Sequence, residues 1–328
     1  MQIALDAMGG DHGSEELITG AVLAAKHKNI GVRLVGDETL LNNYLTKLTP
    51  DDKTLSLIEV VHSSQVIEMN ENPVEAIRRK KDASVMRAFD LVRSGQADAA
   101  VSAGNSGATM AAGVRKLGRL SGISRPGIAS IFPTLKKPVV LMDIGANVDC
   151  RPQHMFQFGV MASAFSRING VERPRVGLLT IGEETGKGNT LIKETYPLLE
   201  NSSLNFIGNV EGRDVFQGDV DVIVCDGFVG NICLKVSEGL AEVAMQMLSD
   251  EIHKSLAAKI GYFLARNAFK TFKKRVDYAE YGGAPLLGID GIGIICHGKS
   301  SSQAIKNAII VAAKMAKGNI NKDILESL

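Results

Sequence analysis

No stretch of this chain approaches the ~20 consecutive apolar residues that a membrane-spanning helix needs, so none is expected. Nor does one sign of charge dominate: 37 Lys and Arg stand against 36 Asp and Glu, a net charge of +1. Such a molecule has no global field with which to grip nucleic acid, and any basic site must be local. Cysteine is scarce. Cys150, Cys225, Cys233 and Cys296 form no CxxC pair and have no His at zinc-ligand spacing, so reduced, mostly buried thiols are expected and a metal site is not. The chain opens directly into a strand pattern without a basic n-region and apolar h-region, which argues against a secretory signal and for a cytoplasmic protein. No Ser-His-Asp triad is evident, and the G-x-G-x-x-G dinucleotide fingerprint is missing.

What is present is an abundance of apolar residues, 45% of 328, enough to fill the core of one large α/β unit or two lobes. The chain is organised around Val176 to Glu194. A short apolar run, Val-Gly-Leu-Leu-Thr-Ile-Gly, gives way to Glu-Glu-Thr-Gly-Lys-Gly-Asn and then to a helical pattern, so a strand, a loop and a helix follow one another. Amides freed at Gly182, Gly186 and Gly188, the positive end of the helix and the Lys187 ammonium converge on one small volume, which suits an anion. Only three residues separate Gly182 from Gly186, and Gly188 follows Lys187 where a nucleotide P-loop needs Ser or Thr. A phosphate therefore fits better than a triphosphate. The plainer alternative is a tight βα turn beside a solvated lysine.

The same device recurs, six times in all. Gln2 to Asp6 leads into Ala7 to Gly13, with Ser14 a candidate cap. Ala97 to Ala103 leads into Gly104, Asn105, Ser106 and Gly107 before a helix from Ala108 to Leu120. Val139 to Ile144 leads into Gly145 to Asp149. Asp221 to Cys225 leads into Asp226, Gly227, Phe228, Val229, Gly230 and Asn231, with a long helix from about Ile232 to Met247. Gly291 to Cys296 leads into His297 to Ser302 and a helix through Lys314. In a parallel sheet such loops share one edge, and a common cleft is expected.

Between these devices, strands are expected at Gly31–Gly36, Leu55–Val61 and Phe206–Arg213, and helices at Thr39–Lys47 and Pro152–Ser166. Val74 to Arg93 has helical spacing with Arg78, Arg79, Lys80 and Lys81 inside it, either a solvated face or a seat for an acidic partner. Arg213 either binds an anion or pairs with Glu211 or Asp214. Ser124 to Pro138, with three prolines, reads as a crossover or hinge between lobes. His253 to Val276 holds seven Lys or Arg and no Asp or Glu, interleaved with residues such as Ile260, Phe263, Leu264 and Phe272. That is the pattern of a membrane-surface element, or of an arm packed on a second subunit. Tyr281 to Gly288 reads as a glycine-rich loop.

Taken in order, Asp6-Ala7-Met8-Gly9-Gly10-Asp11, Ser102-Ala103-Gly104-Asn105, Asp143-Ile144-Gly145-Ala146-Asn147, Gly208-Asn209-Val210-Glu211, Asp226-Gly227-Phe228 with Gly230-Asn231, and Tyr281-Gly282-Gly283-Ala284 resemble the bacterial acyl-[acyl-carrier-protein]:phosphate acyltransferases of phospholipid synthesis, over nearly the whole chain. Ser106, where that family commonly has Thr, is the main departure and keeps the hydroxyl. The resemblance implies an α/β fold: a three-layer α/β/α arrangement on a mostly parallel sheet, like the isocitrate and isopropylmalate dehydrogenases and the phosphotransacetylases. Residues 1–328 would form a single catalytic unit, with two lobes an open alternative and a helical arm over 232–280. It also implies a cytoplasmic homodimer, without metal or cofactor, loosely associated with the inner membrane surface. Its partners would be acyl carrier protein, inorganic phosphate and an acyltransferase that consumes acyl phosphate. The implied reaction transfers a long-chain acyl group to phosphate, which is already a nucleophile, so the protein's work is positioning and charge stabilisation. Lys187 is the first candidate for phosphate, aided by Gly186 and Gly188. Asn231 with the amides of Gly227 and Gly230 is the candidate for the oxyanion or phosphate. Gly104, Asn105, Ser106 and Gly107 are supporting donors, and His12 or His297 candidates for proton transfer. Competing readings are a phosphotransacetylase-like enzyme taking a small acyl-CoA, a metal-dependent decarboxylating dehydrogenase, and a membrane-bound scaffold.

Overall fold

The computed structural model describes residues 1–276 and 281–328. Strand β1 (Gln2–Asp6) is followed by α1 (Ser14–Lys28), β2 (Gly31–Gly36), α2 (Glu38–Leu48), α3 (Asp52–Leu55) and β3 (Ile58–His62). Next come α4 (Pro73–Arg79), α5 (Ser84–Arg93), β4 (Ala99–Ser102), α6 (Ser106–Leu117), β5 (Gly127–Phe132) and β6 (Val139–Met142). Then follow α7 (Pro152–Ile168), β7 (Arg175–Leu179), α8 (Thr190–Glu200), β8 (Asn205–Val210) and β9 (Val222–Val224). The long helices α9 (Gly227–Lys254) and α10 (Leu256–Val276) precede β10 (Ala284–Leu287), β11 (Gly293–Ile295), α11 (Ser302–Lys317) and α12 (Ile320–Glu326).

The strands make one eleven-stranded sheet in the order β3-β2-β1-β4-β11-β10-β5-β6-β9-β7-β8. Both faces are buried, and alternation along each strand feeds two cores. Ile3, Leu5, Val140 and Met142 pack on the face covered by α1, α7 and α11. Ala4, Val139 and Leu141 pack on the face covered by α5 and α6. The expected three layers are present.

The sheet is mostly parallel, but β10 runs antiparallel to both β11 and β5, and β5 runs antiparallel to β6. These three successive reversals divide it. Strands β3, β2, β1, β4 and β11 point one way, while β6, β9, β7 and β8 point the other. The expectation that all six loops share one edge is therefore corrected: three leave one edge and three leave the opposite edge. Both strands that cause the reversal lie in segments whose prolines and glycines read as hinge or loop, β5 within Ser124–Pro138 and β10 within Tyr281–Gly288. Short strands in the middle of a sheet draw their partners from distant sequence, and local turn residues do not forbid them.

Smaller departures have local causes. Val74 to Arg93 is two helices. The chain breaks at residues 80–83, where Ala83 bridges to Gln65 and Lys80 Nζ bonds the Val66 carbonyl at 2.6 Å and pairs with Glu71. Ser14 does not cap α1; Gly13 precedes the helix with φ +73°, and the Ser14 hydroxyl points to Met8 Sδ at 3.8 Å. Helix α9 begins at Gly227 rather than near Ile232, because Asp226 caps it by accepting from Val229 N at 2.9 Å.

Only Gly227 and Gly230 of the 28 residues of α9 are buried. The helix runs about 42 Å, and most of it leaves the body with α10 folded back against it. Phe228, Ile232, Val236, Leu240, Val243 and Met247 make an exposed apolar stripe along it. Of the arm expected over 232–280, residues 277–280 lie outside the described residues. No helix among the described residues is long and apolar enough to cross a membrane.

Candidate functional site

At the edge where β6, β9, β7 and β8 end side by side, four loops are neighbours. The first, 143–147, is built by Asp143. Its buried carboxylate accepts from the amides of Ile128, Gly145, Ala146 and Asn147 and from Asn147 Nδ2, at 2.7–3.2 Å. Burial pushes the Asp143 carboxyl above the usual range, against the lowering of those hydrogen bonds. Asn147 Nδ2 also reaches the Pro126 carbonyl at 2.8 Å, tying the loop to β5. These partners make Asp143 the frame of this loop.

The first turn of α9 is pressed against that frame. A Cβ on Gly227 would stand 2.6 Å from the Asn147 carbonyl, and one on Gly230 only 1.9 Å from that of Asp143. Glycine is the residue that fits at both. Gly227 N donates to Asn147 O at 2.8 Å and Gly230 N to Asp226 O at 2.9 Å. Their amides are thus engaged, which corrects the expectation that they serve an oxyanion. Asn231 is exposed, with Oδ1 3.5 Å from the position a Cβ would take on Gly145. Its side chain lies over the 143–147 loop.

The third loop, 180–189, joins β7 to α8. Gly186 and Gly188 hold φ of +92° and +101°, a region that side chains rarely adopt, and a Cβ on Gly188 would lie 2.6 Å from Thr180 Oγ1. Among the described residues, no backbone carbonyl takes the amides of Gly182, Gly186 or Gly188. Lys187 lays its stem over Gly182 and is exposed. Asn209, near the end of β8, donates Nδ2 to Glu184 O at 3.0 Å, while its Oδ1 and Thr180 Oγ1 are buried without a partner among the described residues. Asn189 caps α8 through Ile192 N. Arg213 bridges Glu183 at 3.0 Å and Glu211 at 3.4 Å, so of the two readings the surface pairing is the one realised. Unforeseen in the sequence, Val148, Ile181, Phe228 and Ile232 expose apolar side chains on these same loops and turns. The available signal was an apolar residue inside an otherwise polar loop.

The other edge gathers the loops after β1, β4 and β11. Ser102 Oγ donates to Asp6 at 2.7 Å, and a Cβ on Gly9 would meet Gly104 N at 2.6 Å. Burial raises the Asp6 carboxyl, opposed by hydrogen bonds from Ser84 and Ser102. Asn105 is not free to serve a substrate as first expected: Nδ2 holds the carbonyls of Met69 and Glu71, and Oδ1 caps α6 at Ala108 N. Gly107 packs on Pro73, while Ser106 and His12 are exposed. His297 Nδ1 accepts from Lys299 N at 3.1 Å. Four strand spacings separate β4 from β6, about 19 Å, and the directions are opposed. Within one protomer His12 and Gly104 to Gly107 do not join Lys187 and Asn231.

Thiol chemistry is disfavoured at both edges. Burial pushes Cys150 up to about 11 and Cys296 up to about 12, and raises Cys225 and Cys233. Among the described residues no cluster of three or more His, Cys, Asp or Glu could hold a metal ion.

Two opposed halves of one sheet, with glycine loops at the strand ends and a helical arm, define the α/β fold shared by phosphotransacylases and 4-hydroxythreonine-4-phosphate dehydrogenases. A phosphotransacetylase of Staphylococcus aureus superposes with a TM-score of 0.63 at 18% identity, over 96% of this chain and 94% of that one. The 4-hydroxythreonine-4-phosphate dehydrogenase of Klebsiella pneumoniae gives 0.57 at 16%, over 96% and 99%. Sequence narrows the class: the family model described as "Fatty acid synthesis protein" matches residues 1–323. A phosphate acyltransferase of Geotalea uraniireducens is 55% identical over 329 residues, covering 100% of this chain and 94% of the relative. That of Syntrophotalea carbinolica is 54% identical, covering 99% and 93%. The chain belongs to the phosphate acyltransferase family.

Proposed function

We propose that this enzyme moves a long-chain acyl group from acyl carrier protein to inorganic phosphate. The observation that carries the reading is the strand-end edge itself, where a lysine, uncommitted glycine amides and an asparagine stand among exposed apolar side chains. Lys187 with Gly186 and Gly188 holds the phosphate, and Asn231 serves the oxyanion. A hydrogenphosphate oxygen bonds to the thioester carbon, and the C–S bond breaks. The proton of hydrogenphosphate ends on the carrier's sulfur, so acyl phosphate and a free thiol are the products. Preorganised donors stabilise the tetrahedral intermediate without a protein nucleophile. The neutral thiols and the apolar rim agree with this division of labour. Product identification after mixing the protein, long-chain acyl carrier protein and labelled phosphate tests the reading. Labelled acyl phosphate is expected; turnover of acetyl-CoA instead would replace it with a small-acyl transferase.

Asn231→Ala is expected to lower kcat about a hundredfold while changing phosphate affinity little, as for one lost transition-state donor. Steady-state kinetics over phosphate concentration decide it. A change confined to phosphate affinity would move Asn231 to the ground-state phosphate site.

The same reading includes a homodimer, with a second copy covering the α9 stripe, and peripheral attachment to an anionic membrane through α10. An acyltransferase that consumes the acyl phosphate then works at that surface. Each cation near an anionic leaflet contributes roughly 1 kcal/mol, and inserted Phe or Leu adds a part that salt does not screen. Changing Lys270, Lys273 and Lys274 to Gln is expected to weaken vesicle binding and flatten its salt dependence. Changing Phe263 and Leu264 to Ser is expected to remove the salt-resistant part. Vesicle sedimentation across a salt series measures both, and unchanged binding in both variants would end the membrane assignment.

A further inference from the structure

Between α9 and α10 runs a groove of about 660 Å3 whose chemistry the reaction does not use. Its floor is apolar, with Leu248, Ile252 and Phe269, and the Phe269 ring packs on Tyr262 at 4.9 Å between centroids. It is also lined by Lys259, Arg266 and Lys270 and by the polar Ser249, His253 and Asn267, and among the described residues no Asp or Glu lines it. The groove is also separate from the exposed stripe of α9. At 3.6 residues per turn, Val236, Leu240, Val243 and Met247 lie on one side of that helix, while Leu248 and Ile252 lie roughly opposite. A second copy seated on the stripe leaves the groove open.

Its size selects the occupant. The volume lies within the ~300–1,000 Å3 range of small-molecule clefts. An alkyl chain with a small head fits within that range. The apolar side chains of Met245, Leu248, Ile252 and Phe269 suit the chain, and Lys259, Arg266 and Lys270 suit an anionic head.

The geometry points to this groove as a binding site for a single-chain lipid with a phosphate head, namely the long-chain acyl phosphate the enzyme makes. This rests on the reading of the product as long-chain acyl phosphate. Such a product is amphiphilic and, as a mixed anhydride, open to hydrolysis. A site on the arm assigned to the membrane surface keeps its chain out of water between synthesis and use.

Dodecylphosphonate, whose C–P bond resists hydrolysis, is the probe, titrated calorimetrically into the full-length protein below its micellar concentration and without vesicles. One molecule per chain is expected to bind. Lys259→Gln with Arg266→Gln is expected to weaken it at least about tenfold, as for lost charge-assisted bonds. Ile252→Asn, which alters only the floor, is expected to weaken it comparably. Leu264→Ser, outside the groove lining, is expected to leave it unchanged, whereas Phe263 is kept because its ring lies 4.9 Å from the Arg266 guanidinium. Circular dichroism and sedimentation show whether each variant keeps its helices and oligomeric state. The proposal falls if wild type does not bind the probe, if Leu264 matters as much as the groove residues, or if the groove variants dissociate the oligomer. It also falls if dihexanoylphosphatidylglycerol binds more tightly, which would make the site one for membrane phospholipid. Labelled-phosphate turnover of wild type, run separately, reports on the reaction: probe binding without acyl phosphate formation would sink the function and the product assignment with it, leaving the groove a site for a single-chain phosphate lipid from another source.

Discussion

Lys187→Ala is expected to slow turnover by two orders of magnitude or more, about 3 kcal/mol at the transition state, the loss of one preorganised charged donor. The phosphate concentration needed for half-maximal rate is expected to rise as well, because the ammonium meets the anion before reaction. Gly182 beneath it has no side chain, so the lysine stem lies directly on a loop whose glycine amides no backbone carbonyl takes among the described residues. Removing it deletes the one flexible cation of that loop while Gly186 and Gly188 keep the backbone in place. The fold is expected to survive, since the Lys187 side chain is exposed. Steady-state rates against phosphate, with thermal unfolding as control, measure this. Normal turnover and phosphate dependence in the folded variant would remove Lys187 from the site.

Gly230→Ala is expected to be more damaging still, and for a reason that has nothing to do with charge. The added methyl would stand 1.9 Å from the Asp143 carbonyl and 2.9 Å from Cys225 Sγ. Neither is a flexible chain end, so α9 must lift from the 143–147 loop. Overpacking of a close-packed contact costs about 1–3 kcal/mol or more. Lifting the first turn also carries Asn231 away from the loop it overlies, so activity is expected to fall below the detection limit even where the chain still folds. A drop in melting temperature together with loss of turnover is the expected pair. Wild-type stability and rate in the variant would mean that the turn accepts a side chain and that this contact does not position Asn231. Gly239 serves as the comparison, because a Cβ there meets nothing within 4 Å.

Much of the edge around Lys187 was legible from its residues. A two-face apolar run, positive-φ glycines and a polar cap define a strand, loop and helix by local physics, and Val176 to Glu194 contains all three. Asp226 as cap of α9 and the cationic, aromatic-bearing α10 follow from similarly local signals. The roles of Asn105 and of the Gly227 and Gly230 amides were not legible. Whether a polar group is spent on the protein or left for a ligand depends on which distant backbone arrives beside it. Met69 and Glu71 reach Asn105, and Asn147 reaches Gly227, through the fold alone.

By itself, then, the chain determined its α/β character, its three layers, the family and the neighbourhood of Lys187, because each depends on periodicity, turn chemistry or an ordered set of motifs. The tertiary structure decided that the sheet reverses at β10 and β5, that the loops divide between two edges, and that α9 and α10 stand off the body with a groove between them. Strand direction within a sheet is fixed by pairings between distant segments: Leu286 with Ile128, and Ile131 with Val140. Residues that form strands equally well in either direction carry no mark of which partner they will meet.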